Sequence, residues 1–370
     1  MDQDYLLLLH MLQQADERYQ VNLRRRTLRD ASNPMTMPES TFMSVFRLSR
    51  ELAQDVIDEL SPHLRQERGP TPIPIYLRIL VALHFYGQGS YQKGVGKDYH
   101  LAMSQSSVSR CIAEVTDAIN EVMVDRVNFP TTFQQKNAEK LKFAQILHGF
   151  PGIIGAIDCT HVAIQSPPVH HPEYPAIVFY NRKGYYSINT QIICSADLKI
   201  LNVNARFPGS VHDSAIWTTS AIYQHLRDAY NNGDTGSWLI GDSGYPLQPW
   251  LMTPLGGQGL TPQEQRYNVI HKRCRNVIER LNGVLKGRFR CLLRHRTLHY
   301  SPLRAAKIIN ACCILHNLCI ERRLENNEEW PNEEDEIVED NFNNIPQQEQ
   351  GNVLHIGRIT RRRIIDNYIN

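Results

Sequence analysis

The sequence has almost no net charge: 40 basic residues against 38 acidic ones leave a formal +2. Bulk attraction to nucleic acid is therefore excluded as a whole-chain property, and any such affinity must come from where the charges sit. No CxxC pair occurs among the eight cysteines (Cys111, Cys159, Cys194, Cys274, Cys291, Cys312, Cys313 and Cys319). Most lie inside apolar runs, the usage of a reduced, cytosolic or nuclear interior. The early apolar run Leu6 to Leu9 is too short to cross a bilayer. Asp2 and Asp4 precede it where a signal peptide wants positive charge, so neither membrane association nor secretion is expected. Internal repeats are absent.

What is present is a 370-residue chain, 42% apolar, enough for one large core and a smaller helical unit. Residues 1–135 carry helical periodicity broken by Pro34, Pro38 and the stretch Gly69 to Pro74. Within them, Ile75 to Tyr86 predicts an apolar-faced helix and Tyr91 to Tyr99 a short second one. Ser104 can cap a third that runs to about Val124. That spacing suits a helix-turn-helix, whose last helix would offer Gln105, Ser107 and Arg110 to DNA; a plain helical bundle shares the pattern.

From about residue 150 the period changes. Ile153 to Ile157 is a continuous apolar run ending at Asp158, as a buried strand would be. Tyr185 to Cys194 and Lys199 to Arg206 predict two more strands joined at Ala196-Asp197-Leu198, completing an antiparallel meander. A helix from Asp213 to about Tyr230 then leads into a short strand, Trp238 to Gly241. Pro246 to Gly259 reads as loop, and helices follow over Pro262 to Leu293 and Pro302 to about Leu324. Residues 325–340 lack basic residues and alternate with acids, and the basic end with Arg358 and Arg361 to Arg363 follows. Together, 325–370 is expected to be a disordered linker and tail.

The acids fall where chemistry would need them. Asp158 and Asp242 each close an apolar run, which predicts carboxylates at the carboxyl ends of neighbouring strands, where open sheets bind ligands. Glu279 sits on the helix face opposite Val277, Leu281 and Val284, with Arg275, Asn282, Gly283 and Lys286. Two carboxylates about 5 Å apart repel by roughly 3 kcal/mol at an effective dielectric near 20, a cost a bound cation would remove. Oxygen donors without a Cys or His cluster favour Mg²⁺ or Mn²⁺ and the chemistry of a two-metal nuclease. Each acid alone has a bland reading: a turn or cap residue for the aspartates, a solvated side chain for Glu279.

Several ordered blocks give the chain a resemblance. They are Gly155-Ala156-Ile157-Asp158-Cys159-Thr160-His161, Asn181 to Gly184 with Ser187-Ile188-Asn189, Pro208 to Ser214, Gly241-Asp242-Ser243-Gly244-Tyr245, and Glu279-Arg280 continuing to Lys286-Gly287-Arg288-Phe289-Arg290. Over roughly residues 40–323 the sequence resembles the PIF/Harbinger transposase superfamily, and within it the domesticated Harbinger transposase-derived nuclease-like proteins of animals. The transposases often have Gly where Cys159 stands, a departure the domesticated proteins share.

The resemblance implies an α/β fold: an RNase H-like mixed sheet with flanking helices over 150–324, preceded by an all-α helix-turn-helix-containing domain over 1–135. It carries the metal-binding, catalytic acids to Asp158, Asp242 and Glu279. Asp213 becomes a fourth ligand or supporting residue, or else the N-cap of its own helix. It implies a divalent-metal-dependent DNA endonuclease without autonomous transposition, found in the nucleus and also in the cytoplasm. A Myb-like partner would supply specific DNA binding, and self-association is compatible with it. A catalytically silent DNA- or partner-binding protein is the competing implication.

Three further patterns each admit two readings. Arg182, Lys183, Lys286, Arg288 and Arg290, with Arg294, His295 and Arg296, form dense basic stretches suited to phosphate contact, or a solvated face. Gly241 to Pro246 superficially matches a serine-protease nucleophile motif, but Tyr245 breaks it. Cys312, Cys313, His316 and Cys319 fall among Ile308, Ile309, Ile314 and Leu315, which makes buried core the stronger reading over a metal site.

Overall fold

The computed structural model describes residues 3–66, 72–89, 91–98, 101–147, 151–324 and 347–369. The chain forms two compact units: residues 1–123 with Phe289–Cys291, and residues 124–288 with 292–370.

The first unit is helical. It comprises α1 (Gln3–Asp30), α2 (Glu39–Phe46), α3 (Arg50–Leu60), α4 (Ile75–Gln88), α5 (Gln92–Lys97) and α6 (Gln105–Val122). Ser104 caps α6 by accepting the Ser107 N–H at 3.1 Å. The apolar stripe Val108, Cys111, Ile112, Val115 and Ile119 is buried, leaving Gln105 and Arg110 exposed. Two polar ties hold α4 to α6: buried Arg78 pairs with Glu114 at 2.7 Å, and the Tyr86 hydroxyl meets Thr116 Oγ1 at 2.6 Å. Gly89 ends α4 at φ 61°, and a Cβ there would stand 2.8 Å from the Arg290 backbone, so glycine is required on both counts.

The second unit is built on a sheet of order β3-β2-β1-β4-β5. Its elements in chain order begin with α7 (Phe133–Leu147), β1 (Ile153–Ala163), α8 (Ala176–Phe179), β2 (Ser187–Cys194) and β3 (Ile200–Pro208). They continue through α9 (Asp213–Thr218), α10 (Ala221–Asn231), β4 (Trp238–Ile240), β5 (Leu251–Met252), α11 (Pro262–Arg288), α12 (Pro302–Glu321) and α13 (Gln347–Tyr368). The first three strands form the expected antiparallel meander, turning at Leu198 (φ 66°), and β4 and β5 add on in parallel. Ile154, Ile157, Ile193, Trp217, Leu239 and Trp250 form the core on one face. By length and composition α12 could span a bilayer, but 67% of that apolar stretch is buried inside the fold, as core.

Four expectations are corrected. The single helix predicted from Asp213 to Tyr230 is two, because Ser220 caps a fresh start by accepting from Tyr223 N at 3.1 Å. The predicted loop Pro246 to Gly259 contains β5, whose two residues are too few to show alternation. The basic tail expected to be disordered is α13, docked through buried Ile364, Ile365 and Ile369. The acidic stretch 325–340 lies outside the described residues. Finally, Asp158 does not end its strand: β1 runs five residues further, to Ala163.

Candidate active site

β1 outruns its parallel neighbour. The β1–β4 register ends at Ala156↔Ile240. Asp158 and Asp242 each lie two residues beyond that rung, on adjacent chains running the same way, which sets both carboxylates at one level of the sheet. Beyond the rung β1 keeps β2 as its partner, with Asp158 opposite Ile192. Alternation sends Ile157 and Cys159 into the core face and Asp158 toward α11, where Arg275 Nη1 stands 3.8 Å from its Oδ2.

Burial pushes the Asp158 carboxyl up to about 8; Arg275 opposes that rise, and the nearby carboxylates of Asp242 and Asp213 add to it. The Cys159 N–H donates to Asp158 Oδ1 at 2.9 Å. Asp242 closes a tight turn by accepting the Gly244 N–H at 2.9 Å. Asp213 is the first residue of α9. The N-cap is His212, so the capping role considered for Asp213 is overturned. Its Oδ1 accepts from Asn189 Nδ2 at 2.8 Å; burial raises its carboxyl, while Asn189 and Arg182 oppose the shift. Asp158, Asp213 and Asp242 thus share one electrostatic neighbourhood.

Glu279 is placed differently. Its side chain is 50% exposed and accepts a 2.5 Å bond from Arg275 Nη2, so Arg275 bridges Asp158 and Glu279. Among the described residues, no three His, Cys, Asp or Glu side chains stand close enough to hold one ion.

Residues 157–317 match the model of the DDE superfamily endonuclease family. Over 285 residues the chain is 35% identical to the human protein named "Putative nuclease HARBI1", covering 76% of this chain and 78% of that one. The Bos taurus protein of the same name is 36% identical with the same coverage. The chain belongs to the Harbinger-derived DDE superfamily endonucleases. A more distant relative, "Protein ALP1-like" of Arabidopsis thaliana, is 27% identical over 76% of this chain and 71% of that protein. No solved structure matches.

The matched DDE segment, 157–317, contains all four acids, from Asp158 to Glu279. Their donor set is all oxygen, and the Asp158 carboxyl is raised first by burial and further by its acidic neighbours Asp242 and Asp213. The set therefore fits a hard divalent cation in kind. Arg275 is the counter-charge the structure itself supplies.

Of the basic residues singled out from the sequence, Arg182 is exposed and electrostatically linked to Asp213. Lys183 and Lys286 are half-buried. Arg288 is withdrawn from any phosphate: it is 3% exposed and donates to the Leu324 carbonyl at 3.1 Å. Arg290 falls in the helical unit, as do Gln105, Ser107 and Arg110, and the Ser107 hydroxyl is engaged with Ser104 Oγ at 2.9 Å. Exposed Arg294 lies over the Tyr185 ring at 4.6 Å, a basic-aromatic pair that spacing alone did not single out. His316 is a neutral core histidine bonded to the Leu198 carbonyl at 2.9 Å, beside buried Cys312, Cys313 and Cys319, and not a metal ligand.

Sequence reasoning assigned no role to Asn189 or to Gln191, which lies directly across from Cys159. Both are buried, and Gln191 has neither amide atom hydrogen-bonded. The signal was available: Ser187, Asn189 and Gln191 recur at a period of two inside a strand buried along its whole length.

Proposed function

We propose that this chain is a transposase-derived nuclease that hydrolyses phosphodiester bonds of DNA with the help of divalent metal ions, and that it does not transpose autonomously. The observation that carries the reading is the shared level of Asp158 and Asp242, two positions past one parallel rung, with the Asp158 carboxyl pushed up to about 8. Acids gathered at such a cost to the fold point to a ligand of opposite charge.

Asp158 and Asp242 would hold Mg²⁺ or Mn²⁺, with Asp213 drawing in as the cation binds and Glu279 joining when Arg275 releases it. The bound cation supplies a lowered pKa for an attacking water and charge neutralisation at the leaving oxygen. Asn189 orients Asp213 through its amide, and Arg182 and Arg294 offer guanidinium groups to the DNA backbone. In this reading the sheet with its flanking helices is RNase H-like. The α4-α5-α6 segment is an auxiliary helix-turn-helix, and a Myb-like partner provides specific DNA binding in the nucleus.

The experiment is a nicking assay on supercoiled DNA with Mn²⁺, run beside Asp158→Ala and Asp242→Ala. Both variants are expected to lose cleavage while keeping the wild-type circular dichroism spectrum. Cleavage persisting in the double variant would remove the assignment. One observation favours the catalytically silent alternative: Glu279 is paired with Arg275 and half out of the cluster. Calorimetric Mn²⁺ binding without nicking by the wild type would decide for it.

A further inference from the structure

The first helix is anchored at one end only. Buried Arg29, near its C-terminus, donates to the Ala102 carbonyl at 3.5 Å, whereas residues 3–22 are all exposed. That free length is about 30 Å of helix. It carries the densest apolar surface left uncovered among the described residues, with Tyr5, Leu6, Leu7, Leu8, Leu9, Met11, Leu12 and Tyr19 each 45–60% exposed. An exposed apolar cluster of this size is normally covered, and a helix of this length standing alone in water is marginal.

Its sequence says what covers it. Tyr5, Leu8, Leu12, Ala15, Tyr19 and Asn22 recur at alternating spacings of three and four, the seam of a coiled coil, over three heptads. Charge divides along the same helix: residues 3–17 hold Asp4, Asp16 and Glu17 without Lys or Arg, and residues 18–26 hold Arg18, Arg24, Arg25 and Arg26 without an acid. Such a helix is complementary to itself only when reversed. Antiparallel, Leu8 meets Tyr19, Leu12 meets Ala15 and Asp4 meets Arg25 across the seam; parallel, the three adjacent arginines would face their own copies. A surface complementary to its own reverse is what a two-fold homodimer requires.

We propose that α1 is a self-association element, pairing antiparallel with α1 of a second copy of this chain to form a two-fold dimer. The test is sedimentation velocity of the full chain across a concentration series, beside Leu8→Glu/Leu12→Glu. Residues 3–22 contribute nothing to the core, so that variant should keep the wild-type melting temperature and sediment as monomer where the wild type is dimeric. Orientation is read by cysteine cross-linking, with seven of the eight native thiols buried. A mixture of Leu8→Cys and Tyr19→Cys chains should yield a disulfide-linked dimer that Leu8→Cys alone does not. A wild type monomeric at all concentrations, a dimer unaffected by Leu8→Glu/Leu12→Glu, or efficient cross-linking of Leu8→Cys with itself would each overturn the proposal. None of these readouts depends on nuclease activity.

Discussion

Asp158 is held in its fold at a cost. Its carboxyl is pushed to about 8 by burial, above the ordinary value of 3.8, so ionisation favours the unfolded chain throughout the interval between those two pH values. Asp158→Asn removes that charge while keeping the shape. In metal-free buffer at pH 7.5 it should raise stability to denaturant by on the order of 2 kcal/mol while abolishing Mn²⁺-dependent nicking. A melting midpoint at or below the wild type would refute the account of its burial. Asn189 acts at one remove, since its amide donates to both Asp213 Oδ1 and the Val211 carbonyl, each within 2.9 Å. Asn189→Ala should lower Mn²⁺ affinity about 10- to 100-fold by calorimetry, as loss of a residue orienting a ligand does, with a stability cost of about 1–3 kcal/mol. Wild-type affinity would show that Asp213 is positioned without it.

At the level of elements, long periodic segments were legible and short or composite ones were not. The Ser104 cap, the stripe on α6 and the meander all follow from local rules, because their apolar residues recur over several turns or rungs. β5 was invisible, since two residues carry no period. Asp158 was read as a strand end because the apolar run stops there; in fact the strand continues through Cys159 and His161 on polar hydrogen-bonding side chains. Of the acids, Asp158 and Asp242 lie two residues past one parallel rung and act on each other electrostatically. Glu279's pairing with Arg275 is an i,i+4 contact that the spacing allows; how far Glu279 also turns toward the aspartates depends on helix rotation, which periodicity fixes too loosely to tell ligand from ion pair. The α13 helix was masked by the acidic stretch before it. Its own signal, Val353, Ile356, Gly357, Thr360 and Ile364, is regular and all on the covered side. Ile364→Ala with Ile365→Ala should cost about 2–5 kcal/mol for each fully buried side chain and release α13 to protease; unaltered melting and digestion would mean that it docks without those residues.

For the whole molecule, buried histidines set the acid limit. Burial lowers His271 to about 4 and His316 to about 3, and each is bonded to a backbone carbonyl. Both gain a proton on unfolding between those values and their ordinary 6.5, so stability falls as pH falls through that window, by roughly 1.4 kcal/mol per pH unit for each. Asp158 contributes the opposite sign over the same window, so the readout is a difference: from pH 6.5 to 4.5, His316→Gln should lose stability less steeply than the wild type by roughly 1.4 kcal/mol per pH unit in denaturant melts, and parallel profiles would place the titration elsewhere. The sheet's two rims complete the picture. On β3, Asn317 of α12 takes both the N–H and the carbonyl of Ile200, at 2.8 and 2.7 Å. On β5, α13 lies close enough that a Cβ at Gly357 would stand 3.2 Å from the Gln248 backbone. At the Ile200 end of β3 and beside β5, an arriving extended peptide must first dislodge a resident helix, which guards those stretches of the sheet against fibril-style stacking.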